Sequence, residues 1–149
     1  MHAEPARIHQ THVMDMTTLN FVLFGATGDL AKRMLLPSLY FLDRDGLLHE
    51  KLAIIGAARS KLSHDDFIAS ARRSLEERGD EIDEAVWQRF SARLHYSPVD
   101  AGAASGFEAL GALLEEVNPG SDHMFYLSLS PDFYADVCGR LQQSGLATP

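Results

Sequence analysis

The chain has 149 residues, 46% of them hydrophobic, enough for one domain with a buried core and ordinary for a globular protein. Thirteen Lys and Arg against twenty-one Asp and Glu leave a net charge of -8, which argues against nucleic-acid and anionic-membrane partners; no basic run is longer than Arg72-Arg73. A single cysteine, Cys138, excludes an internal disulfide, and its place in a helical pattern reads as a buried, inert thiol in a reducing compartment, so the expected location is cytoplasmic.

Residues 1–18 have neither the apolar core of a signal peptide nor a periodic pattern, and they read as a flexible leader. His2, His9 and His12 fall there without the rigidity a metal site needs; His49, His64, His95 and His123 are scattered without ligand spacing. From residue 19 onward strand and helix patterns alternate, which predicts a parallel sheet with helical crossovers. The first strand covers 19–24. It runs into Gly25-x-x-Gly28-x-x-Ala31 and then a helix beginning near Asp29, with apolar Leu30, Met34, Leu35, Leu39 and Leu42 and a stop at Asp45-Gly46. Pro37 lies within this helix and is expected to kink or shorten it.

A short second strand, 52–55, should end at Gly56, and Ser63-His64-Asp65-Asp66 resembles a capping box opening a helix through Arg78. A second helical stretch, 82–93, leads to a third strand at 94–97 that Pro98 ends. An amphipathic helix at 107–117, a fourth strand at 123–129 and a helix from Ser130-Pro131 to about Gln143 complete the pattern. The expected fold is α/β, a Rossmann-like doubly wound parallel sheet truncated after the fourth strand and its following helix, with strand order 3-2-1-4. The fourth strand would then be an apolar edge with unpaired backbone groups. Residues 19–149 read as one incomplete Rossmann domain.

The glycine loop is where the chain declares a ligand. Gly25 permits a tight turn, Gly28 lets backbone approach a phosphate, Ala31 allows close helix–strand packing, and the first helical turn offers free N–H groups to a pyrophosphate. A NAD site of this kind places a carboxylate at the end of the second strand. Here no carboxylate lies between Leu52 and Lys61, while Arg59, Ser60 and Lys61 supply groups able to hold the 2′-phosphate of NADP. Asp29 would repel a pyrophosphate and reads as a capping or loop-orienting residue; Lys32 reaches either phosphate or water. A phosphate-transfer loop is excluded, because Gly-Lys-Ser/Thr does not follow Gly25 at the required spacing.

Five separated motifs occur in order: Gly25-Ala-Thr-Gly-Asp-Leu-Ala-Lys, Pro37-Ser-Leu-Tyr, Asp45-Gly-Leu-Leu, Gly56-Ala-Ala-Arg-Ser and Phe125-Tyr-Leu-Ser-Leu-Ser-Pro. Together they resemble the amino-terminal, NADP-binding part of the glucose-6-phosphate dehydrogenases, over residues 19 to about 145. The resemblance implies a coenzyme site made by Gly25, Ala26, Thr27, Gly28, Asp29, Leu30, Ala31 and Lys32, with Arg59 and Ser60 at the 2′-phosphate and Tyr134 and Asp100 near the coenzyme. It also implies NADP-dependent oxidation of glucose 6-phosphate to the lactone, and a homo-oligomer, in the complete enzyme. Met34 stands where the family often carries a lysine. The family's Glu-Lys-Pro-Phe-Gly segment and the Asp-His-Tyr-Leu-Gly-Lys segment with its general-base histidine do not occur in these 149 residues, so no catalytic residue is nominated and the piece alone is expected to be inactive. A competing reading is a non-catalytic NADP-binding or sensor module of the short-chain reductase type, against which stands Ala31 where such loops carry a third glycine. A remnant without a stable fold is the third reading, because losing covering elements exposes apolar surface.

Overall fold

A computed structural model describes residues 19–147. Four strands, β1 (Leu19–Phe24), β2 (Leu52–Ala58), β3 (Leu94–Pro98) and β4 (Asp122–Leu127), form one parallel sheet in the order β3-β2-β1-β4, as the pattern predicts. Helices α1 (Leu36–Arg44), α2 (His64–Glu77) and α3 (Glu84–Ser91) cover one face; α4 (Phe107–Val117) and α5 (Tyr134–Gln143) cover the other. Both faces of β1 and β2 are therefore buried, which is why these strands read as apolar runs rather than as alternating ones. Leu23 and Ile54 pack with Tyr40, Phe67, Trp87 and Phe90, whereas Val22, Phe24 and Ile55 pack with Phe107, Leu110, Leu114 and Val137. Among the described residues no helix is long and apolar enough to cross a membrane.

Small residues carry β2 further than its apolar run indicates. Gly56 and Ala57 continue the ladder between Leu23 and Phe24 of β1 and Tyr96 and Ser97 of β3, and the strand ends only at Ala58. A Cβ at Gly56 would meet the Phe67 ring at 2.5 Å, so the glycine marks the close seating of α2 on the sheet rather than a strand end.

Pro37 acts on the turn before it. With no N–H, it cannot donate to the Arg33 carbonyl; residues Ala31–Leu35 form a π-turn in which the Leu36 N–H reaches Ala31. The Arg33 carbonyl instead accepts from the Arg78 guanidinium at 3.2 Å. The helix is thereby divided, and α1 begins at Leu36 with the proline in its first turn.

Cys138 is exposed, contrary to the reading of a buried thiol. Val137 takes the inward position on α5, and one residue further is a rotation of about 100° away from the core. On β4 the edge reading holds: among the described residues it pairs only with β1, and its Met124 and Tyr126 are exposed.

At the opposite end from the glycine loop, charge is buried. The Asp43 carboxylate accepts from Arg93 Nε and Nη2, both at 3.1 Å, and from Arg89 Nε at 3.1 Å; Arg93 Nη1 also donates to the His49 and Leu52 carbonyls at 2.6 and 2.8 Å. One residue pair thus joins the end of α1, the following loop, the start of β2 and the entry to β3. Removing one partner of such a buried pair leaves an uncompensated charge, so Asp43→Ala is expected to cost about 3–5 kcal/mol, measured by chemical denaturation. Burial, reinforced by the neighbouring His64 ring, holds the His95 pKa below its usual 6.5. Neutral His95 therefore contributes stability that is complete above the unfolded value and is lost as pH falls below it; denaturation midpoints compared at about pH 8 and about pH 5.5 should show a loss that His95→Gln reduces.

Candidate functional site

Four strand ends converge on one cleft. Gly25 (φ +82°) turns the chain out of β1 with its N–H on the Ala57 carbonyl at 2.8 Å, while Ser128 N–H, just beyond β4, donates to the Phe24 carbonyl at 2.9 Å. A Cβ on Gly25 would lie 1.9 Å from the Ser128 carbonyl oxygen, a backbone contact that cannot yield. The turn is closed by Gly28 N–H on the Gly25 carbonyl at 2.9 Å, and Gly28 itself is exposed toward the cleft. This is the crevice between the carboxyl ends of neighbouring strands at the switch in strand order, where such sheets bind ligands.

The cleft encloses about 300 Å³, within the range of small-molecule sites. Its floor is Phe24, Gly25, Ala57 and Ala58; one wall is Thr27, Gly28, Arg59 and Ser60, and the other is Val99 to Gly102 with Ser128 to Ser130 and Phe133. The Arg59–Ser60 turn is held from below. Tyr96 of β3 donates its hydroxyl to the Ser60 carbonyl at 2.6 Å and lies 3.2 Å from that of Ala58, and burial raises the Tyr96 pKa, keeping the phenol protonated as a donor. Opposite, the Asp100 carboxylate accepts from Gly102 and Ala103 N–H at 3.0 and 3.2 Å, closing a turn, and Arg140 of α5 donates to the Ala101 carbonyl.

Of the residues singled out from the sequence, Gly25, Thr27, Gly28, Arg59, Ser60 and Asp100 line this cleft together. Ala26 and Ala31 are buried beneath the loop, where they pack the helix start against the sheet. The Asp29 carboxylate is exposed and pairs with Arg33 Nη1 at 3.0 Å, one turn on. Leu30 is exposed outside the cleft, Lys32 lines an adjoining hollow, and Tyr134 is exposed beside Phe133, which forms the rim instead. Met34 is exposed and lies away from the cleft. Sequence reasoning missed Tyr96 and Phe133. Only the pairing of β3 with β2 shows that Tyr96 reaches Ser60, and Phe133 was hidden by the helix-start pattern that assigned its segment to α5, where it forms a short 3₁₀ turn (Pro131–Phe133).

Residues 22–149 match the family model described as "Glucose-6-phosphate dehydrogenase, NAD binding domain". Glucose-6-phosphate 1-dehydrogenase of Rhizobium meliloti is 37% identical over 142 residues, 93% of this chain and 28% of the relative; that of Mycolicibacterium smegmatis is 40% identical over 134 residues, 87% of this chain and 27% of the relative. The crystal structure of the Mycobacterium avium glucose-6-phosphate 1-dehydrogenase superposes with a TM-score of 0.77 at 29% identity, covering 87% of this chain and 27% of that one. A glucose-6-phosphate dehydrogenase in complex with glucose 6-phosphate also gives 0.77, at 32% identity, covering 88% of this chain and 28% of that one. The chain spans little more than a quarter of the length of these relatives. With a family model over nearly its whole length and the glycine loop at the switch point of the sheet, the chain belongs to the glucose-6-phosphate dehydrogenase family, of which it carries the nucleotide-binding domain.

Proposed function

We propose that this chain binds NADP in preference to NAD, as the coenzyme-binding part of an enzyme that oxidises glucose 6-phosphate to the 6-phosphogluconolactone. The observation that carries the coenzyme choice is the end of β2: Arg59 and Ser60 stand on the cleft wall, and no carboxylate occupies that segment to receive a ribose hydroxyl. The cleft also fits a pyrophosphate, because Gly28 bares backbone beside the first helical turn, whose N–H groups lack earlier partners. In this reading Gly25, Thr27 and Gly28 cradle the pyrophosphate, Arg59 and Ser60 hold the 2′-phosphate, and Asp100, Phe133 and Tyr134 border the rest of the coenzyme.

Bound NADP supplies the hydride acceptor. The sugar's hydroxyl proton needs a base, and among the described residues no histidine lines the cleft. The 149-residue chain is therefore a binding unit without turnover of its own, in the proposed reading, and a reaction requires groups beyond those described. The enzyme to which it belongs would be cytoplasmic and homo-oligomeric.

Fluorescence titration of the chain with NADPH and with NADH tests the coenzyme choice. Saturable binding that favours NADPH, with about tenfold or greater loss on Arg59→Ala and little change toward NADH, is the expected result. Equal affinities, or NADH the tighter ligand, would overturn it. Tyr96→Phe removes the support beneath the Arg59–Ser60 turn and should narrow the NADPH preference while costing about 1 kcal/mol of stability in denaturant.

A further inference from the structure

Beside the cleft lies a second, polar hollow. It opens between the glycine loop and α2 and shares Thr27 and Ser60 with the main cleft, so the two adjoin. From α2 it takes Asp66, Ser70 and Arg73, spaced four and three residues apart and therefore one stripe of that helix; from the π-turn it takes Lys32. Leu62 closes one side.

The neighbouring cations sort into two groups. Arg72 pairs with Glu76 and Glu84 and lies over the Trp87 ring, and Arg33 pairs with Asp29. Lys32 and Arg73, their sequence neighbours, line the hollow, and among the described residues neither side chain has an ion-pair or hydrogen-bond partner. Two free cations and the hydroxyls of Thr27, Ser60 and Ser70 outweigh the single carboxylate of Asp66. Such a set suits one phosphate monoester dianion, which accepts from several donors at once.

We propose that Arg73 of α2 is a further specificity-determining residue for the 2′-phosphate of the coenzyme, acting from this hollow with Lys32 beside Arg59 and Ser60. The proposal rests on the NADP reading and extends the phosphate site from the end of β2 to the middle of α2. Arg73 lies some fourteen residues beyond Arg59 in a helix without any glycine or phosphate-loop signature, so its role is visible only in the packing of α2 beside the loop. Asp66 opposes the anion and limits its affinity.

The test is a titration of the wild-type chain, Arg73→Gln, Lys32→Gln and Asp66→Asn with NADPH and NADH, and with adenosine 2′,5′-bisphosphate and 5′-AMP. Arg73 is exposed and unpaired, so Arg73→Gln should keep the wild-type melting temperature. The expected result is about tenfold weaker binding of NADPH and of the 2′,5′-bisphosphate in Arg73→Gln, a similar loss in Lys32→Gln, a several-fold gain in Asp66→Asn, and unchanged NADH and 5′-AMP. A wild-type chain that prefers NADPH, loses that preference in Arg59→Ala and keeps it fully in Arg73→Gln and Lys32→Gln would overturn the hollow's role and leave the coenzyme reading standing. A wild-type chain with no preference between the 2′-phosphorylated and unphosphorylated ligands would overturn both.

Discussion

Backbone meets backbone where β1 ends. Gly25 lies so close to the Ser128 carbonyl that no side chain fits between them, and its left-handed φ makes the same demand independently. This contact lets the chain leave the central strand sharply while β4 continues alongside, and it keeps the carboxyl ends of β1, β2 and β4 open on a common crevice. The Gly25 N–H on Ala57 and the Ser128 N–H on Phe24 tie the loop to both flanking strands. Everything placed around the cleft, from the Arg59–Ser60 turn to the Asp100 loop, takes its position from strands that this turn leaves in parallel register.

The supports of that cleft come from elements distant in sequence. Tyr96 crosses beneath β2 to hold Ser60, and Arg140 of α5 reaches the Ala101 carbonyl. The Asp43–Arg93 pair fastens the far end of the sheet, so the strands are fixed at both ends: by buried charge at one, by backbone contact at the other. Pro37 adds a local device. By denying Arg33 a helical partner it leaves a π-turn over Ala31–Leu35, while Arg78 satisfies the freed carbonyl.

Much of this is legible in the amino-acid sequence. The alternation of apolar strands and amphipathic helices predicts the parallel sheet and its order, and the Gly25-x-x-Gly28-x-x-Ala31 spacing predicts the turn between β1 and the helix. Three features were not legible. Gly56 reads as a strand end because glycine disfavours strands, yet here it lets Phe67 approach; Cys138 reads as buried because helical pattern alone does not choose between adjacent residues; and Pro37 reads as a kink without revealing that the change falls in the preceding turn. Around the cleft, the positions of Arg59 and Ser60 stand out in the sequence through the missing carboxylate, whereas those of Tyr96 and Phe133 do not, since each reaches its place only by strand pairing or helix packing.

The sequence by itself determined the class of fold, the place of the glycine loop and the chemistry at the end of β2, because these depend on local periodicity, on residues without a Cβ, and on the sign of charge in one short segment. The tertiary structure alone decided which side chains surround that chemistry. Distances between β3 and Ser60, or between α2 and the loop, are set by packing over tens of residues, and no local pattern encodes them.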